Sequence, residues 1–499
     1  MTGHSDDELL RRARTWLDDD PDEADRAELA GLVAPAERGD ADALGELRAR
    51  FAAPLTFGTA GLRGPMQPGP AGMNTAVLRR TSAGLAAWLR QACGASGRVV
   101  IGWDGRHRSA TLADDAARVL AGAGLEAVLL PEALPTPVLA FAVRYLAADA
   151  GVMMTASHNP AGDNGYKVYL GARAAGGDPA AAGAQLVAPA DAEIEAAAQS
   201  TGPARLVTLG ASPVRLGQEI VDEYVQAVVR LLTTDPAAPA RAVRVAYTPL
   251  HGVGLRVLQQ TFAAAGFPAP VVVAQQANPD PEFPTVRYPN PEEPGACDLL
   301  LALAADTGAD VALANDPDAD RLAAAVRGRL LTGDGYAAGP RVVRDKDGIS
   351  AALLLAEAAA AERRVGRTLL DRLDDLAREI GLSLTRPVTV RLANAGHAPA
   401  ILQQLRADPP ATLAGRAVEL VDLRTGWNGL PPTDGVVLRS DDVRAVVRPS
   451  GTEAKLKAYL EATATAADTG QDLAGTRTRL DAVLEEVQAE LTPRLAPPA

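Results

Sequence analysis

Apolar residues recur every three to four positions in "DELLRRARTWL" and again in "DALGELRARF", with charged residues between them and a Pro-Asp turn joining the two stretches. That period belongs to an amphipathic helix with one face on a core, so residues 1–50 are predicted to form an N-terminal helical arm. From Arg98 the pattern changes. "RVVIGWDGRHRSATLADDAARVLAGAGLEAVLLPE" reads as a strand, a Gly-bearing turn, a helix, an Ala-Gly stop and a further strand, and "RVAYTPLHGVGLRVLQQTFAAAGFPAPVVVAQQ" from Arg244 repeats the plan. Each copy closes on one more helix and strand: "ADAGVMM" leads into "TASHNP", and "GADVALAN" leads into "DPDADR". The chain is therefore predicted as α/β, with two tandem, similar domains of mixed sheet and helices on both faces at 51–205 and 206–330. An Ala/Leu-rich stretch from Ile349 to Ile380 makes 331–381 mainly helical. From about Leu382, strand-like pieces such as "RAVVRPS" and "KLKAYLEA" precede a last helix through Glu490, which gives a C-terminal α+β domain at 382–499.

Composition narrows the class. A chain of 499 residues exceeds a single core and calls for several domains. Its apolar runs are broken by Arg, Asp or Gly before a bilayer could be spanned, and its first twenty residues lack the basic and apolar regions of a signal peptide, so a cytoplasmic location and no membrane partner are expected. Two cysteines, Cys93 and Cys297, provide neither a disulfide framework nor a thiolate metal site. The formal net charge of −13 argues against binding a nucleic-acid backbone and leaves only a small anion, held by a local cluster of Arg and backbone N–H groups.

The Ser-His loop and the acidic loop occupy equivalent ends of equivalent strands, where ligands of open α/β sheets gather. Asp316, Asp318 and Asp320 alternate along the acidic loop and repel one another unless a cation joins them. Their hard oxygen ligands suit Mg²⁺ better than an EF-hand Ca²⁺ site, because Arg321 and Arg327 stand where that loop needs Gly and Glu. The competing reading is a solvated acidic turn. In "RPSGTEAKLKAY", Arg448, Ser450, Gly451 and Thr452 lie between two strands and combine a guanidinium fork, two hydroxyls and a close-approach glycine, which reads as a phosphate clamp or as an ordinary hairpin turn. "FGTAGLRG" adds Thr59 and Arg63 on a weaker, Gly-rich signal. Ser157 lacks a G-x-S-x-G elbow and His158 is poorly placed as a triad base, so a serine that carries a phosphoryl group explains the loop better than a hydrolase nucleophile, with Lys167 able to move the proton.

"TASHNP", "DPDADR" and "RPSGTE", in that order, resemble the α-D-phosphohexomutase family, and "LTFGTAGLRG", "NPEEPG" and "RDKDGISAALLLAE" resemble its branch that includes phosphoglucomutases and phosphopentomutases. The resemblance covers most of the chain. It implies a catalytic set of Ser157, His158, Lys167 and Arg63, with Ser157 as phosphoserine and Lys167 as general acid/base. It implies a Mg²⁺ site made by Ser157, Asp316, Asp318 and Asp320. It also implies phosphate contacts from Arg106, Arg321, Arg448, Ser450, Gly451 and Thr452. The reaction implied moves phosphate between the 1 position and the terminal hydroxyl of a hexose or pentose phosphate through a sugar bisphosphate, so the small-molecule partners would be a phosphosugar and its bisphosphate.

One feature departs from that family pattern. A third α/β domain carrying a Glu-Glu loop that reads sugar hydroxyls belongs between the metal loop and the "RDKDG" helix, yet only residues 322–343 separate Arg321 from Arg344. That is far below the size of a domain. Segment 331–381 is then expected to be a remnant of the third domain, and neither Glu292-Glu293 nor Glu485-Glu486 is expected to replace the missing reader. A working mutase and an impaired relative, binding phosphosugar or weakly hydrolysing phosphate, both fit; "GDGYAAGPR" around Tyr336 is a further candidate reader.

Overall fold

The computed structural model describes residues 6–58, 61–94, 96–233, 241–331, 342–392, 396–430, 432–449 and 455–496. The chain forms two compact bodies, Met1–Gly366 and Arg367–Ala499.

The first body begins with the arm: α1 (Asp6–Asp19), α2 (Glu23–Ala36) and α3 (Ala41–Arg50). Asp22 and Asp40 cap α2 and α3 by accepting backbone N–H groups of the first turn. The three helices share an apolar core of their own that includes Leu9, Leu29, Val33, Leu47 and Phe51. The first sheet domain follows with β1 (Leu62–Pro65), α4 (Thr75–Cys93), β2 (Arg98–Trp103), α5 (Ser109–Gly122), β3 (Glu126–Leu129), α6 (Thr136–Tyr145), β4 (Ala150–Met154), β5 (Asp163–Leu170), β6 (Ala184–Gln185), α7 (Ala190–Gln199) and β7 (Val214–Arg215). Its strand order is β1-β5-β4-β2-β3-β7, with β6 on β5. β2, β3, β4 and β7 run parallel, whereas β5 returns antiparallel to β4. The sheet thus continues to Arg215, beyond the expected boundary at 205.

The second sheet domain repeats the plan with α8 (Glu219–Val229), β8 (Val245–Thr248), α9 (Gly254–Ala264), β9 (Val271–Val272), α10 (Asp298–Thr307), β10 (Val311–Asn315), β11 (Leu322–Val326) and β12 (Arg329–Leu331), in the order β12-β11-β10-β8-β9. β8 pairs parallel with β9 and β10, and β11 returns antiparallel to β10. Every residue of β4 and of β10 is buried, as a strand covered on both faces requires. The two strands therefore end in equivalent β-loop-β returns, and those returns carry Ser157 and the three aspartates.

Within the expected remnant 331–381, the helices of 348–380 do not hold together as one piece. α11 (Gly348–Arg364) packs on α9, β10 and β11 of the first body, and its N-cap Asp347 accepts a hydrogen bond from Tyr224 on α8 at 2.9 Å. α12 (Leu369–Ile380) lies in the second body, where Thr469 donates to the carbonyl of Ala377 at 2.6 Å.

The second body continues with β13 (Leu382–Arg391), α13 (His397–Ala407), the small pair β14 (Thr412–Leu413) and β15 (Arg416–Ala417), β16 (Glu419–Asp422), β17 (Val436–Arg439), β18 (Val443–Pro449), β19 (Lys455–Ala464), α14 (Ala466–Gln471) and α15 (Leu473–Leu491). Its main sheet, β13-β19-β18-β17-β16, is antiparallel throughout. Inward residues alternate along β18 and β19 and meet Ile401, Leu402, Leu484 and Val487 from α13 and α15 in one core. This is the expected α+β domain. Among the described residues, no helix is long and apolar enough to cross a membrane.

Candidate active site

Ser157 at φ 53°, Ala319 at 55°, Leu250 at 46° and His251 at 60° hold a left-handed backbone in loops beyond strand ends. Such strain persists only where the surroundings impose it. Here the surroundings are two loops pressed together. Thr136, the first residue of α6, donates its N–H to the carbonyl of Asp318 at 2.9 Å and its hydroxyl to Asp318 Oδ2 at 2.6 Å, so the first sheet domain grips the acidic loop of the second.

The Ser157 hydroxyl donates to Asp316 Oδ2 at 2.7 Å, and His158 Nδ1 lies 3.1 Å from Ser157 Oγ. One hydroxyl proton cannot serve both partners, so His158 presents Nδ1–H to the serine. Burial, with repulsion by Arg321 and Arg63, holds the imidazole well below its ordinary pKa and keeps it neutral. Lys167 reaches in from β5 and bridges Asp318 Oδ2 at 2.6 Å and Asp320 Oδ2 at 2.9 Å. Arg63 on β1 donates to Asn159 Oδ1 at 3.1 Å, beside the serine. Ser157, His158, Lys167 and Arg63, expected to act together, are thus together.

The three aspartates are buried, each with an oxygen within 4.8 Å of the others'. Burial, then the charges of Asp318 and Asp320, push Asp316 well above the usual carboxylate range. Burial and Asp320 act the same way on Asp318, but Lys167 and a hydrogen bond with Asp316 together hold it low; Asp320, also facing Lys346 at 3.5 Å, is held low as well. Asp318 Oδ1 and Asp320 Oδ1 are buried with no hydrogen-bond partner. Buried carboxylate oxygens without donors are expensive, and a hard divalent cation is the partner that suits them. The donor set can hold a metal.

Arg106 differs from the expectation that it binds phosphate. It is 4% exposed, and its two terminal nitrogens donate to the carbonyls of Pro160 at 2.8 Å, Asp163 at 3.1 Å, Ser157 at 2.6 Å and Asn159 at 2.6 Å. Its guanidinium is committed to shaping the serine loop. Asp104 completes that support: it accepts from Thr155 at 2.6 Å, and Thr155 Oγ1 in turn accepts the backbone N–H of Ser157 at 2.8 Å.

Arg321 lies with its NH1 3.8 Å from Glu292 Oε2, so the Pro-rich loop set aside from the sequence comes up to the metal loop. Sequence reasoning missed Thr136, Asp104 and Lys346. The Pro-Thr-Pro that opens α6 just after a strand was the available signal for Thr136, because it marks a helix N-terminus at a strand end. In the second body, Arg448 lies over the Tyr459 ring, 5.5 Å from its centroid, and donates to the Tyr459 hydroxyl at 3.2 Å. Ser450, Gly451 and Thr452, as well as Thr59 and Tyr336, fall outside the described residues.

Family models match three stretches of the chain: phosphoglucomutase/phosphomannomutase alpha/beta/alpha domain I at 54–201, alpha/beta/alpha domain II at 222–329, and the C-terminal domain at 389–473. A Haemophilus influenzae protein named probable phosphomannomutase is 36% identical over 467 residues, covering 78% of this chain and 93% of that protein. The phosphopentomutase of Homo sapiens is 37% identical over 296 residues, which are 56% of this chain and 47% of that one. A crystal structure of a phosphoglucomutase/phosphomannomutase family protein from Burkholderia thailandensis shares the fold, with TM-score 0.61 and 19% identity over 88% of this chain and 97% of that one.

Proposed function

Because the chain belongs to the phosphoglucomutase/phosphomannomutase family and is an isomerase of the phosphosugar mutase type, we propose that it moves phosphate between the 1 position and the terminal hydroxyl of a hexose or pentose phosphate, with Ser157 as the carrier. The observation that carries this reading is the Ser157 hydroxyl held 2.7 Å from Asp316 inside a carboxylate triad with two unpartnered oxygens. The phosphoryl group passes from Ser157 Oγ to a sugar hydroxyl, which gives up its proton, and a bisphosphate forms. The sugar then turns, and its other phosphate returns to Ser157, which releases the product monophosphate. Ser157, Asp316, Asp318 and Asp320 would hold Mg²⁺, which when bound supplies charge neutralisation for the phosphoryl oxygens. Lys167, pinned between Asp318 and Asp320, is the proton-moving group, Arg63 fixes the serine loop through Asn159, and neutral His158 donates to the serine oxygen. Arg321 contributes positive charge at the metal loop, and Arg448 with Ser450, Gly451 and Thr452 would take the distal phosphate. Incubation with glucose 1,6-bisphosphate and Mg²⁺ should add one phosphoryl mass, which Ser157→Ala abolishes; an adduct that persists in that variant sinks the assignment.

A second reading, a relative that binds phosphosugar and loses phosphate to water, draws on the short stretch 322–343 where a sugar-reading domain would have to stand. Sugar held by its phosphates alone forfeits part of the orientation advantage that favours transfer over hydrolysis. A coupled assay that follows sugar 6-phosphate and released inorganic phosphate together separates the two readings: mutase flux with little released phosphate supports the first, and phosphate release without isomerisation supports the second.

A further inference from the structure

The arm has its own core, yet it is fastened to the first sheet domain by charges. Asp19 pairs with Arg80, whose guanidinium also lies 4.9 Å from the centre of the Trp16 ring. Arg108 makes a two-pronged bond to Asp25, 2.7 Å from NH1 and 3.0 Å from NH2. The Asp25 side chain is 4% exposed, so this pair is largely sheltered from water. Asp22 uses one oxygen to cap α2 and the other to accept from Arg108 at 2.9 Å and from Thr75 at 3.2 Å.

Arg108 holds a left-handed backbone at φ 61°, a conformation that an arginine adopts only when its surroundings fix it. Two residues before it, Arg106 grips four carbonyls of the serine loop. Between them, the carbonyl of His107 accepts from Asn164 at 2.8 Å, and the His107 ring meets Glu282 of the second sheet domain at 2.5 Å. Asp104, at the start of the same turn, anchors the Thr155 hydroxyl that receives the Ser157 N–H. The turn from Asp104 to Ser109 is therefore held by the arm on one side and holds the serine loop on the other.

We propose that the N-terminal arm braces the phosphoryl-carrier loop, and that Arg108 is the positioning residue through which it does so: the Asp22 and Asp25 carboxylates fix the left-handed turn that aims Arg106 at residues 157–163. The activity consequence rests on the reading of Ser157 as carrier, while the structural consequence does not. The test uses the full chain with Asp25→Asn and, in case that variant folds poorly, Arg108→Lys, which keeps the charge and loses the fork. Hydrogen exchange of peptides covering 104–109 and 155–164 should quicken by about threefold or more, with β2 and β4 unchanged. Phosphorylation by glucose 1,6-bisphosphate should slow by about tenfold at unchanged affinity for inorganic phosphate. Faster exchange in the arm with none in 155–164 would overturn the proposal. If the wild-type chain takes no phosphoryl group, the mutase reading fails, and the exchange data still decide the brace.

Discussion

Single residues in this molecule are set by burial. Thr136 gives its hydroxyl to a buried carboxylate oxygen of Asp318 that it shares with Lys167, so Thr136→Val removes a donor where water cannot replace it. The change should cost about 1–3 kcal/mol in denaturant unfolding of the first body, and a cost near zero would mean that Lys167 alone satisfies the oxygen. Asp20, 3% exposed, has its carboxyl raised to about 6 by burial, reinforced by the charges of Asp25 and Asp22 against hydrogen bonds from Trp16 and the Asp22 backbone. A raised carboxyl favours the protonated folded state. Its penalty is absent below its ordinary value near 4, grows through the window from 4 to 6, and is complete above it. Unfolding free energies compared across that window should show Asp20→Asn gaining on the wild type as pH rises, and parallel curves would refute the shift. Cys297 is buried, and that burial, helped by Asp298, lifts its thiol to about 11. It should resist iodoacetamide at pH 8 until the protein is denatured, which peptide mapping would show.

At the scale of elements, the acidic loop depends on close backbone approach. A Cβ on Gly252, in the loop after β8, would lie 2.2 Å from Pro317 Cα, and one on Gly348, at the start of α11, would lie 2.3 Å from the carbonyl of Arg321. Gly252→Ala must therefore push the acidic loop aside. It should cost about 1–3 kcal/mol and slow phosphoserine formation, as measured by denaturation and intact mass. Gly31→Ala at an exposed position of α2, with nothing within 4 Å and an ordinary backbone, is the control and should be neutral or stabilising by up to about 1 kcal/mol. What could be read from sequence at this scale was local: an apolar run followed by Asn-Pro or Asp-Pro chemistry marked both β-loop-β returns and put Ser157 opposite the three aspartates. What could not be read were partners far apart in the chain. Thr136 meets Asp318 across 182 positions, Arg108 meets Asp25 across 83, and nothing near Arg106 in sequence reveals that it points into the protein. Likewise the helices of 349–380 advertise apolar faces, but periodicity does not say which core covers them, and α11 and α12 were joined in expectation though they pack in different bodies.

The whole molecule is built of two bodies with separate cores. The serine loop and the acidic triad belong to the first, whereas Arg448 and the core built on Ile401, Leu402, Leu484 and Val487 belong to the second. Elements that share a core unfold together, and elements with separate cores need not, so scanning calorimetry should resolve two transitions. Ligands then report where they bind. A divalent cation that engages only Asp316, Asp318 and Asp320 should raise the first transition and leave the second in place; at a hundredfold excess over its Kd the gain is about 2.7 kcal/mol, or a few degrees in a body of this size. Under the proposed function, glucose 1,6-bisphosphate should raise both transitions. A bisphosphate that moved the first transition and not the second would remove the clamp from the proposed function and leave the distal phosphate to be held within the first body, where Arg321 and Lys346 stand beside the triad.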